Sequence, residues 1–410
     1  MGAPAARVSE LSRHWVGAGH EVTALTGFPN HPDGVLRPEY RRHFRRLVFR
    51  ESIDGIDVVR TWLLPFPNRK SYERILNYSS FCASASITGS FLERADVVIA
   101  TSPQLLVGLA GWWIARIKRV PFVLEVRDLW PESLGAVGVG KQDSHMHRMI
   151  GRIADFLYRK ADHIVVVTPA FREHLIRKWS VPAQKISIVQ NGVETDLFSP
   201  ARANPEIKNR LNSGGKFVVS YIGTLGLAHG LDILISAAQR LQNSAPEVLF
   251  LVVGDGADRE RILRMAESKK LHNITCLPQQ PREAIPEYIC ASDACLVLLK
   301  KSEVFQTVIP TKMLEFMSCA RPVILGVKGQ AQQLLETCRG GICMEPEDAG
   351  ALCDAILQML QQPSLRRAMG EHGRDYIIRA LSRETTAAEY LGVLNNLLGQ
   401  DSLVKNAAAA

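Results

Sequence analysis

The sequence predicts an α/β protein made of two Rossmann-like domains that face each other across a cleft. The chain has 410 residues, about twice the length of an ordinary domain. In both halves, short apolar runs that suit buried strands alternate with segments of helical periodicity. This alternation is typical of βαβ units, in which helices connect parallel strands.

The first half begins with an amphipathic helix over 6–19, where Val8, Leu11 and Trp15 recur at helical spacing. Apolar runs then predict buried strands at 22–25, 58–62, 95–100, 122–126, 162–167 and 186–189. Because ligands of parallel sheets bind at the carboxyl ends of the strands, we expect the loops that follow these strands to line the cleft.

The second half repeats this plan. A strand over 217–222, a glycine-rich turn and a helix over 231–241 come first, and further strands are predicted at 248–253, 274–277, 294–299 and 322–325. The segment 198–215 lacks apolar periodicity and contains prolines and a Gly-Gly pair, which indicates a linker. We therefore predict an N-terminal domain over 1–197, a C-terminal domain over 216–382 and a helix over 383–400 that returns to the N-terminal domain.

Composition excludes several classes of protein. With 46% hydrophobic and 22% charged residues the chain suits a globular protein, and no apolar run reaches the ~20 residues that span a bilayer. The eight cysteines include no Cys-x-x-Cys pair. We therefore expect free thiols in a reducing cytoplasm, and no zinc site.

The positive charge is concentrated in the first half. Residues 1–190 carry a net charge of +9 and residues 191–410 a net charge of −1. The densest basic cluster consists of Arg37, Arg41, Arg42, Arg45, Arg46 and Arg50. Such a cluster suits an anionic membrane surface, although a solvated basic face is an equal alternative. Nucleic acid is not an expected partner, because no nucleic-acid motif accompanies the charge.

Several motifs occur in the order and at the spacing of one known family. They include Arg-Asp-Leu-Trp-Pro-Glu at 127–132 and Pro-Thr-Lys-Met-Leu-Glu at 310–315, and the others lie at 19–23, 27–32, 191–194, 223–230 and 254–256. No single motif is specific, but together they span nearly the whole chain. The sequence resembles the family 4 glycosyltransferases, which have the GT-B fold. It is particularly similar to the branch assigned to N-acetyl-L-fucosamine transfer in O-antigen assembly.

The resemblance implies transfer of a sugar, with retention of anomeric configuration, from a nucleotide-diphosphate donor such as a UDP-sugar. The implied acceptor is a lipid-diphosphate-linked saccharide at the cytoplasmic face of the membrane, in O-antigen, capsule or exopolysaccharide assembly. The N-terminal domain would bind the acceptor and the C-terminal domain the donor. The family implies neither a bound metal nor a cofactor, and the sequence has no Asp-x-Asp metal element.

The first donor motif is the glycine-rich turn, with Gly223, Thr224, Gly226 and His229 as candidate donor-binding residues. Glycines let backbone N–H groups approach a phosphate, and a helix N-terminus favours its charge. The alternative is a tight strand-to-helix turn without a ligand. The family usually has an arginine and a lysine on the diphosphate at the positions of Thr224 and His229. Backbone donors and His229 would therefore have to do more, or another cation must help.

A second turn contributes Gly254, Asp255 and Gly256 to the predicted donor side. The glycines permit close approach of the backbone after a buried strand. For Asp255 itself, a structural role in the turn is the simpler interpretation.

The segment 310–315 is the most informative. The family has two glutamates eight positions apart, and Glu315 matches the second, which accepts hydrogen bonds from the ribose hydroxyls of the donor. Thr307 stands in place of the first. Lys312 lies near the predicted helix start, where its ammonium could stabilise the departing diphosphate. The alternatives are a surface lysine and a glutamate favoured by the helix dipole.

Candidate catalytic and acceptor-side residues lie in the first half. Asp128 could orient an acceptor hydroxyl, and Arg127 could contact a phosphate, although a salt bridge between them is an equal alternative. His31 and Asp33 are predicted to border the acceptor site, although such loop residues are more often structural or solvated.

Two expectations bear on activity. Family members start with a buried strand that this sequence does not match, so we expect the first strand of the N-terminal sheet to be missing.

Two other functions remain open: a GT-B-fold UDP-sugar epimerase, and a non-catalytic nucleotide-sugar-binding protein. The first would need acid and base carboxylates but no acceptor, and the second is suggested by Thr307 and the unmatched strand.

Overall fold

The computed structural model of the chain describes residues 3–30, 34–66, 71–102, 104–132, 145–211 and 214–399. By the density of their internal contacts these residues form two compact units. The N-terminal unit contains the described residues of 4–135 and 140–190, together with those from 387 onward. The C-terminal unit contains residues 191–386.

The N-terminal unit is built from five helices and seven strands among its described residues. The helices are α1 (Ala3–Gly17), α2 (Ser71–Phe91), α3 (Leu105–Lys118), α4 (His145–Lys160) and α5 (Pro169–Trp179). The strands are β1 (Thr23–Gly27), β2 (Val48–Ile53), β3 (Ile56–Thr61), β4 (Val98–Thr101), β5 (Phe122–Val126), β6 (His163–Val166) and β7 (Ile186–Ile188).

These strands form two sheets. One is a parallel sheet in the order β4-β5-β6-β7, and the other has the order β1-β3-β2 with β2 antiparallel to β3. The strand β2 is not among the strands predicted from the sequence. The Asp54-Gly55 pair that turns the chain between β2 and β3, with both residues at positive φ, is a recognised hairpin signal that could have revealed it.

The C-terminal unit contains the strands β8 (Phe217–Ile222), β9 (Val248–Val253), β10 (Ile274–Leu277), β11 (Ala294–Leu298), β12 (Val323–Gly326) and β13 (Gly341–Cys343). Its helices are α6 (Pro205–Arg210), α7 (Asp232–Ser244), α8 (Arg259–Ser268), α9 (Ile285–Ala291), α10 (Thr311–Ser318), α11 (Gln330–Cys338), α12 (Ala349–Gln361) and α13 (Pro363–Ala380). The last helix, α14 (Arg383–Leu398), starts in this unit, and its residues from 387 onward group with the N-terminal unit.

All six strands of the C-terminal unit are parallel and lie in the order β10-β9-β8-β11-β12-β13. Hydrophobic clusters cover both faces of the sheet. Val218 and Ile222 belong to one cluster, and Val219 and Tyr221 to the other. Burial on both faces explains why these strands read as continuous apolar runs. The strand order reverses between β8 and β11, which is where doubly wound sheets bind ligands. The predicted α/β class with parallel sheets is confirmed.

The segment 198–215 differs from the plain linker that the sequence suggested. Phe198 is fully buried, and α6 brings Ile207 into the same cluster of the C-terminal unit. In α6 and the residue that follows it, the buried apolar side chains are Ile207 and Leu211. Two such residues are too few to produce a recognisable helical period.

Candidate functional site

The predicted donor residues lie together at the point of the C-terminal sheet where the strand order reverses. The turn at 223–230 follows β8, and the segment that leads to α10 follows β11. The N–H of Lys300, just after β11, donates to the carbonyl of Ala228 at 2.9 Å, which joins the two segments. The candidate donor residues of the turn at 223–230 and those of the segment that leads to α10 therefore belong to one region of the C-terminal unit.

The two glycine-rich turns pack directly against each other. A Cβ atom on Gly254 would lie 1.9 Å from the carbonyl oxygen of Gly223, and one on Gly256 would lie 2.4 Å from that of Leu225. The N–H of Leu225 donates to the carbonyl of Asp255 at 2.9 Å. Gly254 and Gly256 are thus required by the packing of the turns, and the exposed Asp255 caps its own turn through the N–H of Gly256.

Lys312 lies in the first turn of α10. Part of its stem reaches the surface, but its Nζ atom is buried 3.9 Å from the centre of the Tyr221 ring. Among the described residues this Nζ has no hydrogen-bond partner. Burial lowers the pKa of Lys312 from 10.5 to about 7, although Glu315 acts in the opposite direction. A Cβ atom on Gly223 would lie 3.6 Å from Nζ, so the ammonium sits directly beside the glycine turn.

His229 is held within the same turn. Its Nδ1 atom lies 3.2 Å from the N–H of Gly226, and the ring packs edge-on against Tyr221. Burial, and then the charge of Lys312, lower the pKa of His229 to about 4, so the imidazole is neutral at pH 7. The exposed Thr224 accepts a hydrogen bond at its carbonyl from the Tyr221 hydroxyl. His229 is therefore not a cation at neutral pH, and Lys312 of α10 is the basic side chain that lies beside the turn.

The helix predicted after the turn, over 231–241, is present. A short 3-10 turn over Leu227–His229 intervenes, and α7 starts at Asp232. The carboxylate of Asp232 pairs with Arg261, with 2.9 Å between Oδ2 and Nη2. The first turn of α7 thus holds an ion pair between Asp232 and Arg261.

Glu315 follows Lys312 by three residues on α10 and is mostly buried. Its Oε1 atom lies 3.1 Å from Nη1 of Arg282, which follows β10 in a 3-10 turn. Arg282 is not among the residues predicted from the sequence, because 33 positions separate it from its partner and no local pattern marks it. Thr307 is half-buried, and its hydroxyl donates to the carbonyl of Val304 at 2.7 Å.

In the N-terminal unit, Arg127 and Asp128 directly follow β5. The N–H of Arg127 donates to the hydroxyl of Ser102, which follows the neighbouring strand β4. Burial raises the pKa of Asp128 to about 6, against the opposing effect of Arg127. A carboxyl group with a pKa of about 6 can gain or lose a proton near neutral pH, as a general base must.

A buried network that the sequence did not reveal supports this loop. Arg7 of α1 binds Glu125 of β5, with 2.9 Å between Nε and Oε1, and also donates to the carbonyls of Val189 and Gln190. Thr101 donates to the other oxygen of Glu125 at 2.6 Å. These bonds link α1 to the carboxyl ends of β4, β5 and β7. Glu125, at the centre of the network, lies two positions before Arg127.

The end of the same motif is anchored separately. Glu132 accepts from Nε2 of His174 at 3.0 Å and from Nζ of Lys178 at 2.5 Å, both on α5. Although burial alone would raise it, these hydrogen bonds hold the pKa of Glu132 at about 2. Glu132 thus fixes the loop after β5 at its far end. His31 and Asp33 lie outside the described residues.

The arginine cluster is exposed in the structure. All six of its members lie at the surface, and Leu47 beside them is 70% exposed. Within the described part of the chain, no helix is both long and apolar enough to cross a membrane. In the same part of the chain, no group of three or more His, Cys, Asp or Glu side chains is arranged to hold a metal ion.

Comparisons with known families and sequences agree on one class of protein. The family description "Glycosyl transferase 4-like domain" matches residues 2–192, and "Glycosyl transferases group 1" matches residues 203–376. The chain is 25% identical to the protein named colanic acid biosynthesis glycosyl transferase WcaI of Escherichia coli K12, over 92% of each chain. It is 26% identical to the protein named glycosyltransferase WbjE of Pseudomonas aeruginosa, over 68% of this chain and 69% of that one.

Solved structures show the same fold. Sucrose-phosphate synthase from Thermosynechococcus elongatus superposes with a TM-score of 0.77 at 21% identity, over 97% of this chain and 94% of that chain. HepE of Anabaena, in complex with UDP-glucose, superposes with a TM-score of 0.69 at 16% identity, over 92% of this chain and all of that one.

Replacing Asp128 by Asn should stabilise the protein at neutral pH. Because the folded state raises the pKa of Asp128 from 3.8 to about 6, it binds more protons than the unfolded state in that window, and stability falls as pH rises through it. The neutral amide escapes this cost, so D128N should gain about 1–3 kcal/mol at pH 7.5 and lose the advantage near pH 4. Urea denaturation between pH 4 and 8 measures this, with the exposed Asp96→Asn as control. Equal pH profiles for D128N and wild type would contradict the burial of this charge.

Proposed function

The chain belongs to the family 4 glycosyltransferases of the GT-B fold, and we propose that it transfers a sugar from a UDP-sugar to a lipid-diphosphate-linked saccharide. The observation that carries the donor assignment is the pair formed by Lys312 and Glu315. One short helix presents a buried Nζ atom that has no hydrogen-bond partner among the described residues and, one turn later, a carboxylate. Both lie beside a glycine turn at the end of a parallel sheet where ligands bind.

In this proposal the diphosphate of the donor binds between the turn at 223–230 and Lys312. A buried cation without a counter-charge is costly, and an incoming phosphate oxygen supplies that charge. The neutral His229 contributes as a hydrogen-bond donor rather than as a cation. The ribose hydroxyls donate to Glu315, since a carboxylate can accept from both hydroxyls of a vicinal diol.

The reaction breaks the bond between the anomeric carbon and the phosphate oxygen and forms one from that carbon to the oxygen of the acceptor hydroxyl. The hydroxyl proton passes to the leaving diphosphate. The charge that develops on the leaving diphosphate is stabilised by Lys312 and by the backbone of the glycine turn. On the acceptor side we assign Asp128 to the hydroxyl and Arg127 to a phosphate of the acceptor. Retention of anomeric configuration and independence of metal are part of this proposal. So are the domain roles: acceptor binding by 1–197 and donor binding by 216–382, with a C-terminal helix over 383–400.

The choice of donor and pathway is supported by the relatives. HepE of Anabaena is known in complex with UDP and with UDP-glucose, and WcaI is named for colanic acid biosynthesis. We therefore place this chain in the assembly of an O-antigen, capsule or exopolysaccharide, at the cytoplasmic face of the membrane. We also propose that His31 and Asp33 border the acceptor site.

Membrane attachment is proposed through the arginine cluster. Arg41, Arg42, Arg45 and Arg46 are exposed, and no ion pair is found for them within the described residues. Exposed apolar side chains lie in the same segment, namely Val35, Leu47 and Val48. Basic side chains that surround exposed apolar ones suit the headgroup region of an anionic bilayer.

Glu315→Gln should weaken donor binding while leaving the fold intact. The substitution removes the charge from a hydrogen-bond acceptor, and hydrogen bonds to charged groups are worth about 1.5–3 kcal/mol each. Calorimetric titration with UDP measures the loss, and the exposed Glu283→Gln is the control for net charge. An unchanged UDP affinity in E315Q would refute the ribose assignment. Release of UDP from UDP-sugar only when acceptor is added distinguishes a transferase from an epimerase or a non-catalytic binder.

Replacing Arg41, Arg42, Arg45 and Arg46 together by Gln should reduce binding to anionic vesicles and leave UDP binding unchanged. Each basic residue near such a surface contributes about 1 kcal/mol, so the four together account for roughly two to three orders of magnitude in partitioning. Co-sedimentation with vesicles that contain phosphatidylglycerol measures the effect. The control replaces four exposed arginines of the C-terminal unit, Arg202, Arg210, Arg264 and Arg367. The membrane proposal fails if wild type ignores these vesicles or if both variants lose binding equally.

A further inference from the structure

Arg282 connects the proposed ribose-binding carboxylate to the core of the C-terminal unit. Its Nη1 atom lies 3.1 Å from Oε1 of Glu315, and both side chains are largely shielded, with 22% and 14% of their surfaces exposed. The guanidinium carbon lies 5.1 Å from the centre of the Phe198 ring. Arg282 is therefore held by an aromatic face on one side and a carboxylate on the other.

Phe198 is itself fixed by the helix that carries Glu315. The ring is fully buried, and the Phe198 carbonyl accepts a hydrogen bond from the Ser318 hydroxyl at 2.5 Å. Ser318 is the last residue of α10, one turn beyond Glu315. The contacts thus run from α10 through Phe198 and Arg282 and return to α10, so the direction of the Glu315 carboxylate is fixed relative to its own helix.

The contact between Arg282 and Glu315 also affects Lys312, because a Glu315 carboxylate that binds Arg282 does not neutralise the Lys312 ammonium. Lys312 and Glu315 are three positions apart on one helix, a spacing at which lysine and glutamate commonly pair. In the structure Glu315 is instead engaged by Arg282, and Nζ of Lys312 has no hydrogen-bond partner among the described residues. A carboxylate that neutralised Lys312 could serve neither a ribose nor a diphosphate.

We propose that Arg282 is a positioning residue, which holds the Glu315 carboxylate toward the ribose hydroxyls of the donor and keeps it from pairing with Lys312. This inference rests on the proposed function, because it assumes that Glu315 binds the ribose. Arginine suits the task better than lysine, since its planar guanidinium can stack on Phe198 while its N–H groups bind the carboxylate.

The test compares the affinities for UDP and 2′-deoxy-UDP, because their ratio reports the contact to the ribose hydroxyl and not the overall integrity of the site. Wild type should prefer UDP by about tenfold or more. Both E315Q and R282Q should lose most of this preference, and R282K should retain part of it. The double variant R282Q/E315Q should discriminate no less than E315Q alone. Arg264→Gln, an exposed substitution of the same charge, should behave as wild type.

Two results would overturn the inference in different ways. If R282Q keeps the wild-type ratio while E315Q loses it, Arg282 does not position the carboxylate and the ribose assignment of Glu315 stands. If E315Q itself keeps the ratio, the ribose assignment fails and the role of Arg282 fails with it. Should R282Q not fold, R282K and F198L carry the same test. Partial loss of the ratio in both would support the inference, and a wild-type ratio in both would refute it.

Discussion

The proposed donor site depends on the buried amino group of Lys312, whose Nζ atom has no hydrogen-bond partner among the described residues. Its surroundings tolerate the charge in three ways. The Tyr221 ring offers its face to Nζ, Gly223 leaves space beside it, and His229 is neutral. Without a ligand the ammonium is destabilising, which is visible in its lowered pKa. In the proposed function the donor diphosphate supplies the negative charge that offsets this cost.

In the N-terminal unit the corresponding constraint is a buried ion pair rather than a single charge. Arg7 and Glu125 are almost completely shielded, and their remaining hydrogen-bonding capacity is used by Thr101 and by the carbonyls of Val189 and Gln190. A fully bonded pair of this kind adds little net stability, but the loss of one partner is costly. Its main effect is to fix the strand ends from which Arg127 and Asp128 project.

Much of the fold could be predicted from the sequence because its parallel strands are buried on both faces. The runs at 122–126, 217–222 and 248–253 coincide with β5, β8 and β9, whose residues are all buried. The run at 274–277 also coincides with a strand, β10, whose residues are half-buried. The strand β2 was missed because its residues alternate between exposed and half-exposed and form no apolar run. The short β13 was also missed, since three residues carry no period.

The candidate site was predicted where local motifs mark it, and missed where partners are distant in sequence. Lys312, Glu315 and the glycine turn follow recognisable patterns around strand ends. Arg282 and Arg7 do not, because each acts on a carboxylate that the chain brings close only after folding, at separations of 33 and 118 positions. The sequence also could not show that His229 is neutral, since its pKa is set by burial and by Lys312.

The most direct test of this account is the pKa of the Lys312 side chain, measured by NMR on protein with ¹³C-labelled lysine, with Lys312→Arg used to assign the resonance. The account predicts a pKa near 7 in the free protein and a rise toward the ordinary value of 10.5 when UDP binds, because the diphosphate stabilises the charged form. A pKa near 10.5 without ligand, or one that UDP leaves unchanged, would contradict the assignment of this ammonium to the donor diphosphate.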